Sequence, residues 1–185
     1  MLFSILKIIG NLMSKLIYYV ASTLDGFIAH EDGSFDGFAW DDEVVSDFFN
    51  DQKQFGTVLM GRKTYEIGLN EGKTSPYPDM RQIVFSKSMS TSPDPEVELV
   101  ASDPVEFVKA LKSISDKPIW VCGGSEIATQ LLKAELIDKI VIKLNPVVFG
   151  TGIPLFGSIP KHVSLKLVDQ KSYSCGIVFN TYEVA

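Results

Sequence analysis

Three stretches of the chain bring glycines, cations and hydroxyls to the point where an apolar run ends. The first is Ile119-Trp120-Val121-Cys122-Gly123-Gly124-Ser125-Glu126. It reads as a buried strand that leaves through two glycines into a helix. Without Cβ atoms the backbone can approach a ligand closely, and the free N–H groups of a helix start attract phosphate. It is not the GxGxxG fingerprint, so a tight strand-to-helix turn is the competing reading. The second is Val58-Leu59-Met60-Gly61-Arg62-Lys63-Thr64-Tyr65-Glu66. Here a strand passes through glycine into a helix with two cations in its first turn. Cations oppose the positive end of a helix dipole, so an anion at that end would account for them, as would a solvated surface pair. The third is Ser86-Lys87-Ser88 after the strand-like Gln82–Phe85; it is suited to a phosphate monoester, or is a polar turn. Ligands of open α/β sheets lie beyond the carboxyl ends of the strands. All three stretches fall at such ends, and their agreement favours a phosphate-bearing ligand more than any one of them taken singly.

Other chemistries find less support. His30, Glu31 and Asp32 are neighbours in one loop with no second cluster, and His162 stands alone, so no metal site is expected. No G-x-S-x-G nucleophile elbow occurs. Asp41-Asp42-Glu43 reads as a helix cap with N-terminal charge. Cys122 and Cys175 form no CxxC pair and read as buried free thiols in a reducing, cytoplasmic setting. The formal charge of -6 disfavours nucleic acid, whose binding relies on displacing counterions with Lys and Arg.

The elements that must position these residues follow from periodicity. Leu16–Ser22, Thr57–Met60, Gln82–Phe85, Val97–Ala101, Ile119–Cys122 and Lys139–Leu144 read as strands. Helices are expected from Asp41 or Asp42 through Gln54, over Arg62–Leu69, over Pro104–Ile114 and over Ser125–Lys133. Val44, Val45, Phe48 and Phe49 would share one face of the first helix. Asp25-Gly26 is a turn before the short apolar stretch Phe27–Ala29, and His30–Trp40 is a loop. The tail from Val163 to Glu183 reads as two antiparallel strands joined near Ser174–Gly176. This order predicts an α/β fold, with a mainly parallel sheet, helices on both faces and an antiparallel edge. The chain of 185 residues suits one domain. We assign that domain to residues 14–185 and treat residues 1–13 as an extension, with a surface-packing helix as the next alternative. The extension is shorter than the about 20 apolar residues that span a bilayer, so no membrane partner is expected.

Met60-Gly61-Arg62-Lys63-Thr64-Tyr65-Glu66 resembles the MGRxTWE-type segment of dihydrofolate reductases. Ala21-Ser22-Thr23-Leu24-Asp25-Gly26-Phe27-Ile28-Ala29 resembles the opening of the riboflavin-pathway pyrimidine reductase domain. So do Cys122-Gly123-Gly124 through Leu132, Leu136-Ile137-Asp138 and Pro146 to Phe156. The likeness spans about residues 15 to 184, and the chain resembles a stand-alone bacterial member of the dihydrofolate-reductase-like family. The resemblance implies a central sheet of about eight strands, NADPH as cofactor, a small heterocyclic substrate of pterin or pyrimidine type, and a homodimer. It implies that Ala21 and Ile28 border the nicotinamide and that Gly61, Arg62, Lys63 and Thr64 meet phosphates and ribose. Ser86 and Lys87 would lie near the 2′-phosphate. Gly123, Gly124, Ser125, Glu126 and Ile127 would line the pyrophosphate, with a cis Gly123–Gly124 bond. The substrate pocket would be formed by Tyr19, Ala21, Asp25, Trp40, Phe49 and the Pro146–Phe156 loop with Phe149. Asp25 and Tyr19 are its candidate proton relays, and turn chemistry is the other role open to Asp25.

Three positions depart from the relatives. Val45 stands where dihydrofolate reductases carry an acid, Tyr19 where pyrimidine reductases carry a lysine, and Cys122 where they tend to carry a glutamate. The alternative is therefore a nucleotide-binding protein of the same fold without reductase activity. If Arg62, Lys63, Ser86 and Lys87 serve the 2′-phosphate, one charge-assisted contact of about 1.5–3 kcal/mol gives at least about a tenfold preference for NADPH over NADH. Fluorescence titration should show Arg62→Ala or Lys87→Ala weakening NADPH much more than NADH, with the preference shrinking as salt rises. Equal affinity for the two dinucleotides would show the 2′-phosphate site to be misplaced.

Overall fold

Apolar and β-branched runs bounded by Gly, Pro and Asp make the strands β1 (Leu16–Thr23), β2 (Phe27–Ala29), β3 (Thr57–Gly61), β4 (Arg81–Phe85), β5 (Val97–Val100), β6 (Ile119–Gly123), β7 (Lys139–Asn145), β8 (Ile153–Pro154), β9 (Leu165–Ser172) and β10 (Val178–Val184). Between them lie the helices α1 (Asp42–Gln52), α2 (Arg62–Asn70), α3 (Pro104–Ile114) and α4 (Ser125–Lys133). This computed structural model describes residues 13–185; the expected extension lies, but for Met13, outside the described residues.

Eight strands form one sheet in the order β5-β4-β3-β6-β1-β7-β10-β9. The first six run parallel, and β10 pairs antiparallel with both β7 and β9. Val108, Leu111, Ala128, Leu131 and Leu132 of α3 and α4 pack on one face with Leu16, Tyr18 and Leu59. Val44 of α1 and Tyr65 of α2 pack on the other with Tyr19, Met60 and Trp120. The expected architecture is therefore present, with helices on both faces and the antiparallel pair at one edge. The β9–β10 turn is closed where expected, Gly176 N–H donating to Tyr173 O at 3.0 Å.

Two details differ. The first helix stops at Gln52 rather than Gln54, because the N–H groups of Lys53 and Gln54 turn to Asn50 O and Asp51 O, three residues back. Phe27–Ala29 is not an isolated apolar stretch. It pairs with β8 in a small second sheet and pins the loop after β7 across the end of β1.

The starts of β1 and β7 are fastened to α3 by one carboxylate. Asp138 accepts from Leu16 N–H at 2.7 Å and from the Lys112 ammonium at 2.6 Å, and Lys112 also donates to Leu136 O at 2.7 Å. The Lys112 side chain is only 7% exposed, so removing its counter-charge leaves a buried cation unpaired. Asp138→Ala should cost about 3 kcal/mol in a urea or guanidinium unfolding curve, and the pair Lys112→Met with Asp138→Leu should recover much of it. A single-variant loss below about 0.5 kcal/mol would mean the pair behaves as a solvated one.

Candidate active site

The carboxyl ends of β4, β3, β6, β1 and β7 lie side by side, because these five strands are consecutive neighbours and parallel. That single edge gathers Ser86 and Lys87 after β4, the Gly61 turn into α2, the Gly123–Gly124 turn into α4, and Asp25 after β1. The two glycine turns lean on each other. A Cβ on Gly61 would lie 3.3 Å from Ile127 Cδ1 and 3.5 Å from Gly124 N, and one on Gly123 would lie 3.2 Å from Thr64 Oγ1. A Cβ on Gly124 would lie 3.5 Å from the same Thr64 hydroxyl. The Gly123–Gly124 peptide is cis. Just before it the β3–β6 register slips: Leu59 pairs with Val121 and Met60 with Gly123, so Cys122 is an extra residue that redirects the strand.

The helices leaving these turns differ from the other two among the described residues. Asp41 caps α1, accepting from Glu43 and Val44 N–H at 3.0 and 3.2 Å. Asp103 caps α3, accepting from Val105 and Glu106 N–H at 2.8 and 3.2 Å. The starts of α2 and α4, at Gly61 and Gly124, have no side-chain cap. Their first-turn N–H groups are left without an intrahelical or side-chain acceptor. Around them, Arg62 is held by Glu66 at 2.6 and 2.9 Å, both groups more than a third exposed, so this pair is weak. Lys63 and Lys87 are exposed and face no carboxylate among the described residues. Ser86 is buried, and its oxygen accepts from Met89 and Ser88 N–H at 2.9 and 3.3 Å, which leaves its own proton to donate. Ser125 is buried at the start of α4, its carbonyl taking the Thr129 hydroxyl, and Glu126 is exposed beside it.

Toward β1 and β7 the expected pocket residues separate. Asp25 accepts from the Thr23 hydroxyl at 2.5 Å, from Gly150 N–H at 2.7 Å and from Phe149 N–H at 3.2 Å. The Thr23 bond first, then the two backbone donors, hold its carboxyl below the usual range. Asp25 ties the β1 turn to the loop after β7. Phe149 is stacked at 3.8 Å between centroids on His30, with Phe38 on it at 5.4 Å, in the same loop package. Tyr19 is buried, and its hydroxyl donates to Asp51 Oδ2 at 3.0 Å; burial, then Asp51, raises its pKa. Phe48, not Phe49, meets the Tyr19 ring, and Phe49 is 58% exposed. Trp40 is 71% exposed above the edge. Ala21 and Ile28 are half-buried at the ends of β1 and in β2.

Four residues here carried no site signal in the sequence. Asp51, whose carboxyl burial raises, lies seven residues after Val44 and so on the same inner side of α1. Tyr77 reaches Cys122 Sγ at 3.5 Å and packs edge-on to Trp120, and burial pushes the Cys122 thiol up to about 11. Lys143 and Asn145 reach the site through β7, donating respectively to Ala39 O and Ser22 O. A cleft of about 630 Å³ opens at the opposite, amino-terminal end of the strands near Lys15, Asp138 and His162. It contains none of the expected site residues, and parallel sheets bind ligands at the other edge.

Comparison with known proteins shows the family and the fold. Residues 14–179 match the model of the RibD C-terminal domain. The chain belongs to this family. It is 35% identical over 163 residues to the uncharacterized protein YwjB of Bacillus subtilis, covering 86% of this chain and 92% of that one. The structure is similar to that of a putative riboflavin biosynthesis protein from Shewanella sp. PV-4, with TM-score 0.81 and 25% identity over 92% of this chain and 99% of that one. It is also similar in fold to a dihydrofolate reductase from Enterococcus faecalis complexed with NADP(H), with TM-score 0.65 and 22% identity over 92% of this chain and 96% of that one. The RibD C-terminal domain fold thus places this chain's two glycine turns and its Asp25 loop on one edge.

Because hydrogen bonds depress the Asp25 pKa, its contribution to stability is present above the ordinary carboxylate range and is lost as pH falls through the lowered folded value. Asp25→Asn should therefore lower the melting temperature at pH 7, and the difference from wild type should shrink toward about pH 3, below the ordinary aspartate value. A pH-independent difference would mean that the carboxylate charge is not what holds the loop.

Proposed function

We propose that the chain is an NADPH-dependent reductase of a small flat heterocycle of pterin or pyrimidine type. The observation that carries this reading is the mutual packing of the Gly61 and Gly123–Gly124 turns at the starts of two uncapped helices. Cβ atoms would fill that space, and the N–H groups around it suit a pyrophosphate. In this reading Gly61–Thr64 and Gly123–Ile127 hold the phosphates, and Lys63, Ser86 and Lys87 take the 2′-phosphate. Arg62 joins them by leaving Glu66. Ala21 and Ile28 flank the nicotinamide, which when bound supplies a hydride.

The protein's own part is positioning and exclusion of water. Asp25 holds the covering loop. Phe48 and Tyr77 pack edge-on against the buried Trp120 in the α1-side core, and the flat surface offered to a ring is the exposed Trp40 indole. The buried Tyr19 hydroxyl donates to Asp51, and this bond fixes its ring against Phe48 beneath the edge.

A panel of dihydropterins and aminouracils, followed by NADPH absorbance, tests the assignment. Turnover of at least one member is expected in wild type. Gly124→Trp, which drives an indole toward Thr64, should abolish both turnover and NADPH binding. Binding without turnover across the panel would favour the non-catalytic nucleotide-binding alternative, and absence of NADPH binding would sink both.

A further inference from the structure

Four cations are buried or half-buried among the described residues: Arg62, Lys112, Lys139 and Lys143. Three have acidic partners, Glu66 and Asp138 each at 2.6 Å and Glu183 at 4.0 Å. Lys143 has none. Its ammonium donates to Ala39 O at 3.1 Å and lies 5.1 Å from the centre of the Trp40 ring. An ammonium carries three donors, and one is used here. Desolvation lowers the Lys143 pKa, as expected for a cation partly withdrawn from water with no counter-charge.

Its position is set by sheet register. Lys143 pairs with Ala21 on β1 and with Phe179 on β10. Register partners point to the same face, and Tyr19 and Phe179 belong to the α1-side core. Lys143 therefore stands on the α1 side, level with Ala21, two residues short of the carboxyl end of β7. Beside it the Trp40 indole offers an exposed flat surface.

We propose that Lys143 is the specificity-determining residue of this site, selecting heteroaromatic rings that carry an anionic oxygen, with the ring laid against Trp40. The inference rests on the reductase reading and narrows its substrate class. An anion there completes the hydrogen bonding of the ammonium and supplies its missing counter-charge. Charge-assisted contacts of this kind are stronger than neutral ones, so the site rejects a ring that lacks the anion.

Orotate and uracil share a ring and differ by a carboxylate, which makes them the probes. Calorimetric titration into wild type, with and without saturating NADPH, should show orotate at least about tenfold tighter than uracil. Lys143→Met should remove that preference and leave NADPH affinity within about twofold, while Lys143→Arg retains a preference. Lys143→Gln serves as a second neutral variant should the methionine variant melt early. Orotate binding no tighter than uracil in wild type, undetectable binding of both included, would overturn the proposal. So would a preference that survives in the neutral variants. A Lys143-dependent preference without any NADPH binding would keep the anion site and remove the dinucleotide reading; NADPH binding without the preference would do the reverse.

Discussion

The constraint on which the site depends is the contact between two strand-to-helix turns on adjacent strands. β3 and β6 are neighbours in the sheet though far apart in sequence, and each must turn into a helix at the same level. Gly61 and Gly123 bring backbone to the meeting point, where a Cβ would crowd Ile127 and Thr64. Thr64 fills what space remains. The slip of register at Cys122 sets the second turn against the first, so a residue whose type suggests redox or acid–base work is explained by strand geometry. Its thiol, raised by burial and facing Tyr77, is correspondingly far from a reactive thiolate.

Much of this was legible because two periodicities meet at each turn. An apolar run of strand length passes through glycine into a 3.6-residue pattern at Met60–Arg62 and again at Cys122–Ser125, and no other local structure suits that succession. The β2–β8 pair was not legible. It is two or three residues long, includes Pro154, and depends on Gly152, where a Cβ would collide with the Ala29 carbonyl oxygen. Such a contact belongs to tertiary structure and leaves no period in the sequence. The phase of α1 was only half legible. Val44, Val45, Phe48 and Phe49 all count toward one stripe, but neighbouring helix positions diverge by a large angle, and packing chose Val44 and Phe48.

On the substrate side, polar groups are matched to one another rather than left for a ligand. Asp25 fills its oxygens with Thr23 and the loop amides, and the Tyr19 hydroxyl donates its hydrogen bond to Asp51. Both had been legible as ionisable groups near the edge; Thr23 is a local partner of Asp25, but the loop amides on Asp25 and Asp51 on Tyr19 come from elements distant in sequence and were not legible as partners. Lys143 shows the converse. In the run Lys139–Asn145 it reads as one more polar residue of an alternating strand, and only its pairing with Ala21 brings it to the site.

The four helix starts among the described residues differ in the same terms. Each helix begins with orphan N–H groups, and Asp41 and Asp103 satisfy some of those on α1 and α3 from within the chain. A carboxylate at Gly61 or Gly124 would satisfy α2 and α4 in the same way, but would also occupy the space and repel an anion. Glycine there leaves donors fixed by the backbone, whose direction does not depend on side-chain rotamers. The exposed Lys63 and Lys87 act differently. They are long, mobile and screened by salt, so they add attraction without fixing geometry. In the proposed reading, placement of a phosphate at this edge follows from the backbone, and discrimination between phosphates from the side chains around it.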